Sequence, residues 1–153
     1  MPGYEEHKLV GGLVGGATAF VFALEQPPLL ALAEIVGGFI AGRFVANWPD
    51  VLEPAVSSNH RDAAHAVGPM LLAGSVAFQN VVSLQSLLRA QAQERLEAAA
   101  NSSNALLQLL NLGIGLLLHC GAGAVPAIPA SYASHVVLDA GTSRGIPFLT
   151  RGF

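Results

Sequence analysis

The chain alternates long apolar runs with short polar interruptions. Residues 9–24 carry no charge, and the run opens behind Glu5 and Glu6, where negative charge suits a helix N-terminus. Gly11 and Gly15, like Gly12 and Gly16, stand four apart and fall on one helix face, a spacing that lets backbones approach closely. Glu25-Gln26-Pro27-Pro28 predicts a turn, and a second helix is expected over about 29–45. Glu34 is the one charge in its middle, and Gly37, Gly38, Ala41 and Gly42 form another small patch. A third apolar stretch, 66–88, passes into an amphipathic one that ends near Ala100. Helix is expected to begin near Asp62, capped around Asn59 or His60, and the pattern leaves open whether 62–100 is one long helix or two. Residues 101–104, Asn-Ser-Ser-Asn, break the chain and offer a capping side chain for a helix over about 104–120. A Gly/Ala/Pro connector at 121–130 is expected to separate it from a last helix at about 130–140, stopped by Gly141. No alternating strand pattern and no internal repeat is present. The expectation is a single all-α domain over 1–153, an antiparallel bundle of about five to six apolar helices.

Composition adds a solvent to this picture. Hydrophobic residues make up 52% of the 153 and charged residues 11%, against roughly 25% charged in soluble domains. With uncharged runs at 9–24, 66–88 and 104–138, the bundle is expected to be membrane-embedded, although the first run is shorter than the ~20 residues of a comfortable span. Net charge is −3 with no basic cluster, so nucleic acid is not an expected partner. Cys120 is the single cysteine, which excludes an internal disulfide. Acidic residues ahead of the first apolar run argue against a cleaved leader. The glycine-rich helix faces suit a homo-oligomer.

Against this background residues 47–65 stand out. They hold two of the three aspartates and two of the five histidines, with Glu53 and Arg61. Pro49 and Pro54 prevent a continuous helix, so Asp50, Glu53, His60 and His65 are expected on a loop, a gathering of carboxylates and imidazoles that suits a metal site. In an antiparallel bundle this loop returns to the end where the chain begins, at His7, and the segment with His135 and Asp139 arrives there too. His135 and Asp139, at i and i+4, share one helix face and can reach a single ion. His60 and His65, five apart, diverge by about 140° if both are helical, so His60 fits the loop and His65 the first turn of the next helix. Each residue has a plainer role available: His7 an exposed terminal residue, Asp50 a turn former, Arg61 a partner of Asp50 or Asp62. His119, in an apolar helix without a carboxylate neighbour in sequence, reads as a packed core histidine.

Pro49-Asp50, His60-Arg61-x3-His65, the early His7, and His135-x3-Asp139-Ala140-x-Thr142 followed by Gly145-Ile146-Pro147 resemble the YdjM-like family. These proteins are described as metal-dependent hydrolases of the bacterial inner membrane, distantly similar to the all-α zinc-dependent phospholipase C and P1 nuclease group. Where that family reads His-Arg-Gly-x-Thr-His-Ser, this chain has Asp62, Ala64 and Ala66 in place of the Gly, Thr and Ser. The resemblance implies a divalent metal, most simply zinc in one to three ions, held by His7, Asp50, His60, His65, His135 and Asp139. It implies a phosphoester substrate such as a lipid head group, with membrane lipid as partner. Glu53 is then the candidate general base or an additional ligand, and Arg61 the candidate for neutralising charge on a phosphate, since its planar fork binds two oxygens. A non-catalytic membrane protein with a structural or partner-recruiting metal site is the alternative. An ion carrier is disfavoured because Glu34 is the one charge inside an apolar run.

Overall fold

The computed structural model describes residues 3–53 and 64–141, except for the side chains of residues 69, 70 and 72–78. Among the described residues the fold is entirely helical: α1 (Tyr4–Phe22), α2 (Pro28–Val45), a single-turn α3 (Trp48–Leu52), α4 (Val67–Asn101) and α5 (Ala105–Ala140). The described residues thus hold four long helices and one turn of helix, rather than five to six long ones. α1 and α2 form an antiparallel pair against one side of the C-terminal half of α5, and α4 runs antiparallel along α5. At 1.5 Å per residue, α1 and α2 are about 28 Å long and α4 and α5 more than 50 Å. The α4–α5 hairpin therefore extends beyond the α1–α2 turn, with Leu106, Leu109 and Leu110 exposed on it.

The interior is small and the exterior large. Buried apolar positions are mostly alanine (Ala19, Ala23, Ala46, Ala66, Ala92, Ala122, Ala127), whereas Leu13, Phe20, Leu29, Leu32, Val36, Ile40 and Phe44 point outward. Small interior residues of this kind let helices approach one another closely. The glycines make the approach possible. A Cβ on Gly37 would overlap the backbone of Cys120, and one on Gly123 the backbone of Glu34. Gly11 and Gly15 face Gly42 and Gly38 in the same way. These glycines pack against other helices of the same chain. Two stretches, Pro28–Leu52 and Ala105–Ala140, are long and apolar enough to cross a membrane.

The connector expected at 121–130 does not exist, because α5 runs unbroken through Pro126 and Pro129. A proline inside a helix removes the N–H that would bond the carbonyl four residues earlier. For Pro126 that carbonyl is Ala122, and the buried Gln85 of α4 donates its Nε2–H to it at 3.1 Å. The helix tolerates the proline because a neighbouring helix supplies a replacement donor. Gln85→Leu is accordingly expected to cost about 1–3 kcal/mol, the penalty for an orphaned buried carbonyl, read as a lower unfolding midpoint. An unchanged midpoint would show that the carbonyl is satisfied in another way.

The start of α4 also differs from expectation. It begins at Val67 after a turn at residues 64 and 65, so His65 precedes the helix instead of standing one turn inside it. The cap expected at Asn59 or His60 lies outside the described residues. Where one helix or two stood open, the described residues form one: α4 runs undivided from Val67 to Asn101. Asn104 caps α5 as the sequence suggests, its Oδ1 accepting from the N–H groups of Leu106 and Leu107 at 3.0 and 3.2 Å.

Candidate metal centre

The end of the bundle where α1 starts and α2 and α5 finish gathers side chains from four separate segments. His7 comes from the first turns of α1, Asp50 from α3, His65 from the turn before α4, and His135 with Asp139 from the last turns of α5. Pro49 sits in the first turn of α3, where its missing N–H costs nothing, so the expected loop is in part a helical turn that carries Asp50. His7 is not an exposed terminal residue; it is 3% exposed.

His135 Nε2 lies 3.5 Å from Asp50 Oδ1 and 3.6 Å from Asp139 Oδ2. His65 Nε2 lies 3.4 Å from Asp50 Oδ1 and 3.7 Å from Asp139 Oδ2. The four residues Asp50, His65, His135 and Asp139 offer ligand atoms that all lie within 4.8 Å of one another, a group that could hold a metal ion. Separations of 3.4–3.7 Å are too long for good N–H···O hydrogen bonds. They are close to the ~3.3 Å between two ligand atoms on one tetrahedral ion with bonds of about 2.0–2.1 Å.

The tautomers support the same reading. His135 Nδ1 donates to the carbonyl of Ala46 at 2.6 Å, at the α2–α3 junction. His65 Nδ1 faces Glu53 Oε2 at 3.0 Å. With each Nδ1 holding its proton against an oxygen acceptor, each Nε2 presents a lone pair to the aspartates, the arrangement that metal-binding histidines adopt. His135 Nε2 is buried and makes no hydrogen bond among the described residues. That is costly for a neutral imidazole nitrogen unless another ligand partner takes the lone pair.

Glu53 stands behind the cluster, its Oε1 accepting the N–H of Ala64 at 2.8 Å while Oε2 faces His65. Through these contacts it holds the turn that carries His65 and the ring of that residue, and it stands outside the four-residue group. Tyr132 of α5 ties the same turn down by donating its hydroxyl to Ala64 O at 2.5 Å. Glu53→Ala is expected to weaken divalent-metal affinity by about 10–100-fold without abolishing it. Titration calorimetry checks this, and complete loss would make Glu53 a ligand after all.

His7 occupies a flank. Its Nε2 lies 3.6 Å from Asp139 Oδ1, and its ring stacks on His135 with centroids 3.9 Å apart. Asp139 therefore turns one oxygen to His7 and the other to His65 and His135. His60 and Arg61, expected to contribute a ligand and a phosphate contact, lie outside the described residues. Solvent reaches the group on the Asp50 side: this carboxylate is 40% exposed, while the side chains of His65, His135 and Asp139 are at most 3% exposed.

His119 is elsewhere, in the interior as a core histidine, but it has a carboxylate neighbour. Its Nδ1 donates to Glu34 Oε1 at 2.9 Å. Arg89 of α4 clamps the same carboxylate with Nε at 2.9 Å and Nη2 at 2.6 Å, and its Nη2 also reaches Phe22 O at 2.7 Å. Glu34 comes from α2, which is why sequence around His119 gave no hint of it. The role of the Ala46 carbonyl likewise leaves no trace in sequence, since any residue carries one. Comparison with protein-family models, with curated proteins and with solved structures finds no match for this chain.

Proposed function

We propose that the protein is a metal-dependent hydrolase of the bacterial inner membrane, acting on a phosphoester in or near the lipid head groups. The observation that carries this reading is the buried group of two Nε2-presenting histidines and two aspartates, open to solvent through Asp50 alone. A divalent ion bound there, with zinc preferred for its imidazole and carboxylate ligands, supplies Lewis acidity and makes a water molecule acidic near neutral pH. His65 and His135 hold the ion through Nε2, Asp139 shares its two oxygens between that position and His7, and Asp50 lies at the entrance. Around this entrance Phe44, Trp48, Val51 and Leu52 are exposed. An exposed tryptophan beside aliphatic side chains suits the head-group level of a bilayer, which supports a lipid phosphoester as the substrate class. Arg61 keeps the phosphate-binding role that its place in the sequence suggests.

A structural metal is the second reading, and the near-complete burial of His65, His135 and Asp139 favours it, since closed sites bind metal to hold a fold. One set of measurements separates the two. The protein is extracted from membranes with detergent, its metal content measured, and hydrolysis of phospholipids and model phosphodiesters followed with and without chelator. Chelator-sensitive hydrolysis that returns with zinc supports the enzyme. Loss of thermal stability on chelation, with no turnover in either state, supports the structural site. Full solubility without detergent would overturn the membrane placement.

A further inference from the structure

The outer side of the α1–α2 seam, away from α5, carries an apolar groove of about 450 Å³, lined by Leu13, Gly16, Ala17, Phe20, Ile35 and Phe39 together with Val36. Near Gly12, Arg43 and Phe39 lie close across α1: a Cβ on Gly12 would fall 2.7 Å from Arg43 Cγ and 3.0 Å from the Phe39 ring. A second, separate hollow of about 280 Å³ lies along the same seam towards the end of the bundle that holds His7 and Asp139, lined by Lys8, Arg43, Ile40 and Phe44.

Two cations meet at this hollow and share one acid. Glu5 is 3.4 Å from Lys8 Nζ and 3.8 Å from Arg43 Nη2, and its side chain is 74% exposed. Exposed pairs of this kind hold weakly, and one carboxylate against two cations leaves a positive charge in excess. Lys8 is also fixed over the Tyr4 ring, 4.1 Å from its centroid. An apolar groove with a pair of cations in a neighbouring hollow of the same seam matches an amphiphile with a negatively charged head. Charge complementarity distinguishes this from an ordinary lipid-facing surface, which would accept any acyl chain.

We propose that the α1–α2 seam binds one anionic phospholipid, with its phosphate between Lys8 and Arg43 and an acyl chain along the groove towards Phe20. This rests on the membrane association proposed above and is independent of the metal chemistry. Basic pockets between membrane helices bind acidic head groups in this way.

The experiment uses the full chain in neutral detergent and native mass spectrometry, with phosphatidylglycerol and phosphatidylcholine of equal chain length added in turn. Phosphatidylglycerol is expected to be retained on the order of tenfold more strongly, reflecting two cations near the head group. Arg43→Gln should remove most of that preference. Ala17→Phe, a substitution at an exposed position of the groove wall, should reduce retention of both lipids. Soluble glycerol phosphate should not compete, because a free phosphate lacks the chain. Equal retention of the two lipids by the wild-type protein, or a preference untouched by Arg43→Gln, would overturn the proposal, as would effective competition by glycerol phosphate. Metal content and thermal melts on each variant confirm that the fold is intact. Failure of the membrane placement shows separately, as solubility without detergent.

Discussion

His135→Ala is expected to leave the purified protein without bound divalent metal, and Asp139→Ala to do the same, while His119→Ala retains the wild-type amount. Both of the first two residues turn donor atoms into one buried group, with His135 Nε2 and Asp139 Oδ2 3.6 Å apart on successive turns of α5. Removing a supporting residue around a metal costs about 10–100-fold in affinity, so removing a ligand itself should exceed that range. His119 faces Glu34, some four turns of α5 away from His135, and belongs to a different cluster. Its replacement should lower the unfolding midpoint through a lost hydrogen bond to a charged group and leave metal alone. Elemental analysis after dialysis, beside a thermal melt for each variant, reads both effects. Equal metal depletion in all three variants would mean that the histidines of α5 act through the stability of the helix and not through ligation.

The convergence of His7, Asp50, His65, His135 and Asp139 on one end of the bundle was legible because antiparallel helices return the chain to the same end, and the i, i+4 spacing of His135 and Asp139 states its own geometry. Two things were not legible. Proline at 126 and 129 is a strong local signal for a break, yet α5 runs through both, and at Pro126 the freed carbonyl is satisfied by a side chain on another helix, Gln85. Local rules cannot register a donor 37 residues away. The second is Glu34, read in sequence as an isolated charge in an apolar run. Its partners Arg89 and His119 lie on two other helices, and the three meet because Gly37 and Gly123 bring α2 and α5 into backbone contact. Contacts that depend on how closely two helices approach are set by packing, and the glycine faces announce that an approach occurs without naming which helices make it.

That interior ion pair supports the largest stability effect to be expected in this protein. Glu34 is fully buried, and Arg89, 24% exposed in its side chain, is the cation that clamps both of its oxygens. Arg89→Leu leaves the carboxylate with His119 as its remaining hydrogen-bond partner among these contacts, and the carbonyl of Phe22 loses its donor. Breaking a buried pair by removing one member costs about 3–5 kcal/mol, because an uncompensated charge remains inside. For a chain of this size that corresponds to a drop of roughly 10 °C in midpoint, measured in detergent by circular dichroism. The companion variant Glu34→Gln in the Arg89→Leu background removes the charge and keeps an oxygen to accept from His119. It should recover much of the loss, since the penalty lies in the stranded carboxylate and not in the absence of the pair. The metal content of both variants should match wild type, because this cluster stands at the opposite end of the α1–α2 pair from His7 and Asp139. If the double variant is no more stable than Arg89→Leu alone, the arginine contributes through packing of its stem against α2 and α5, and the charge argument fails.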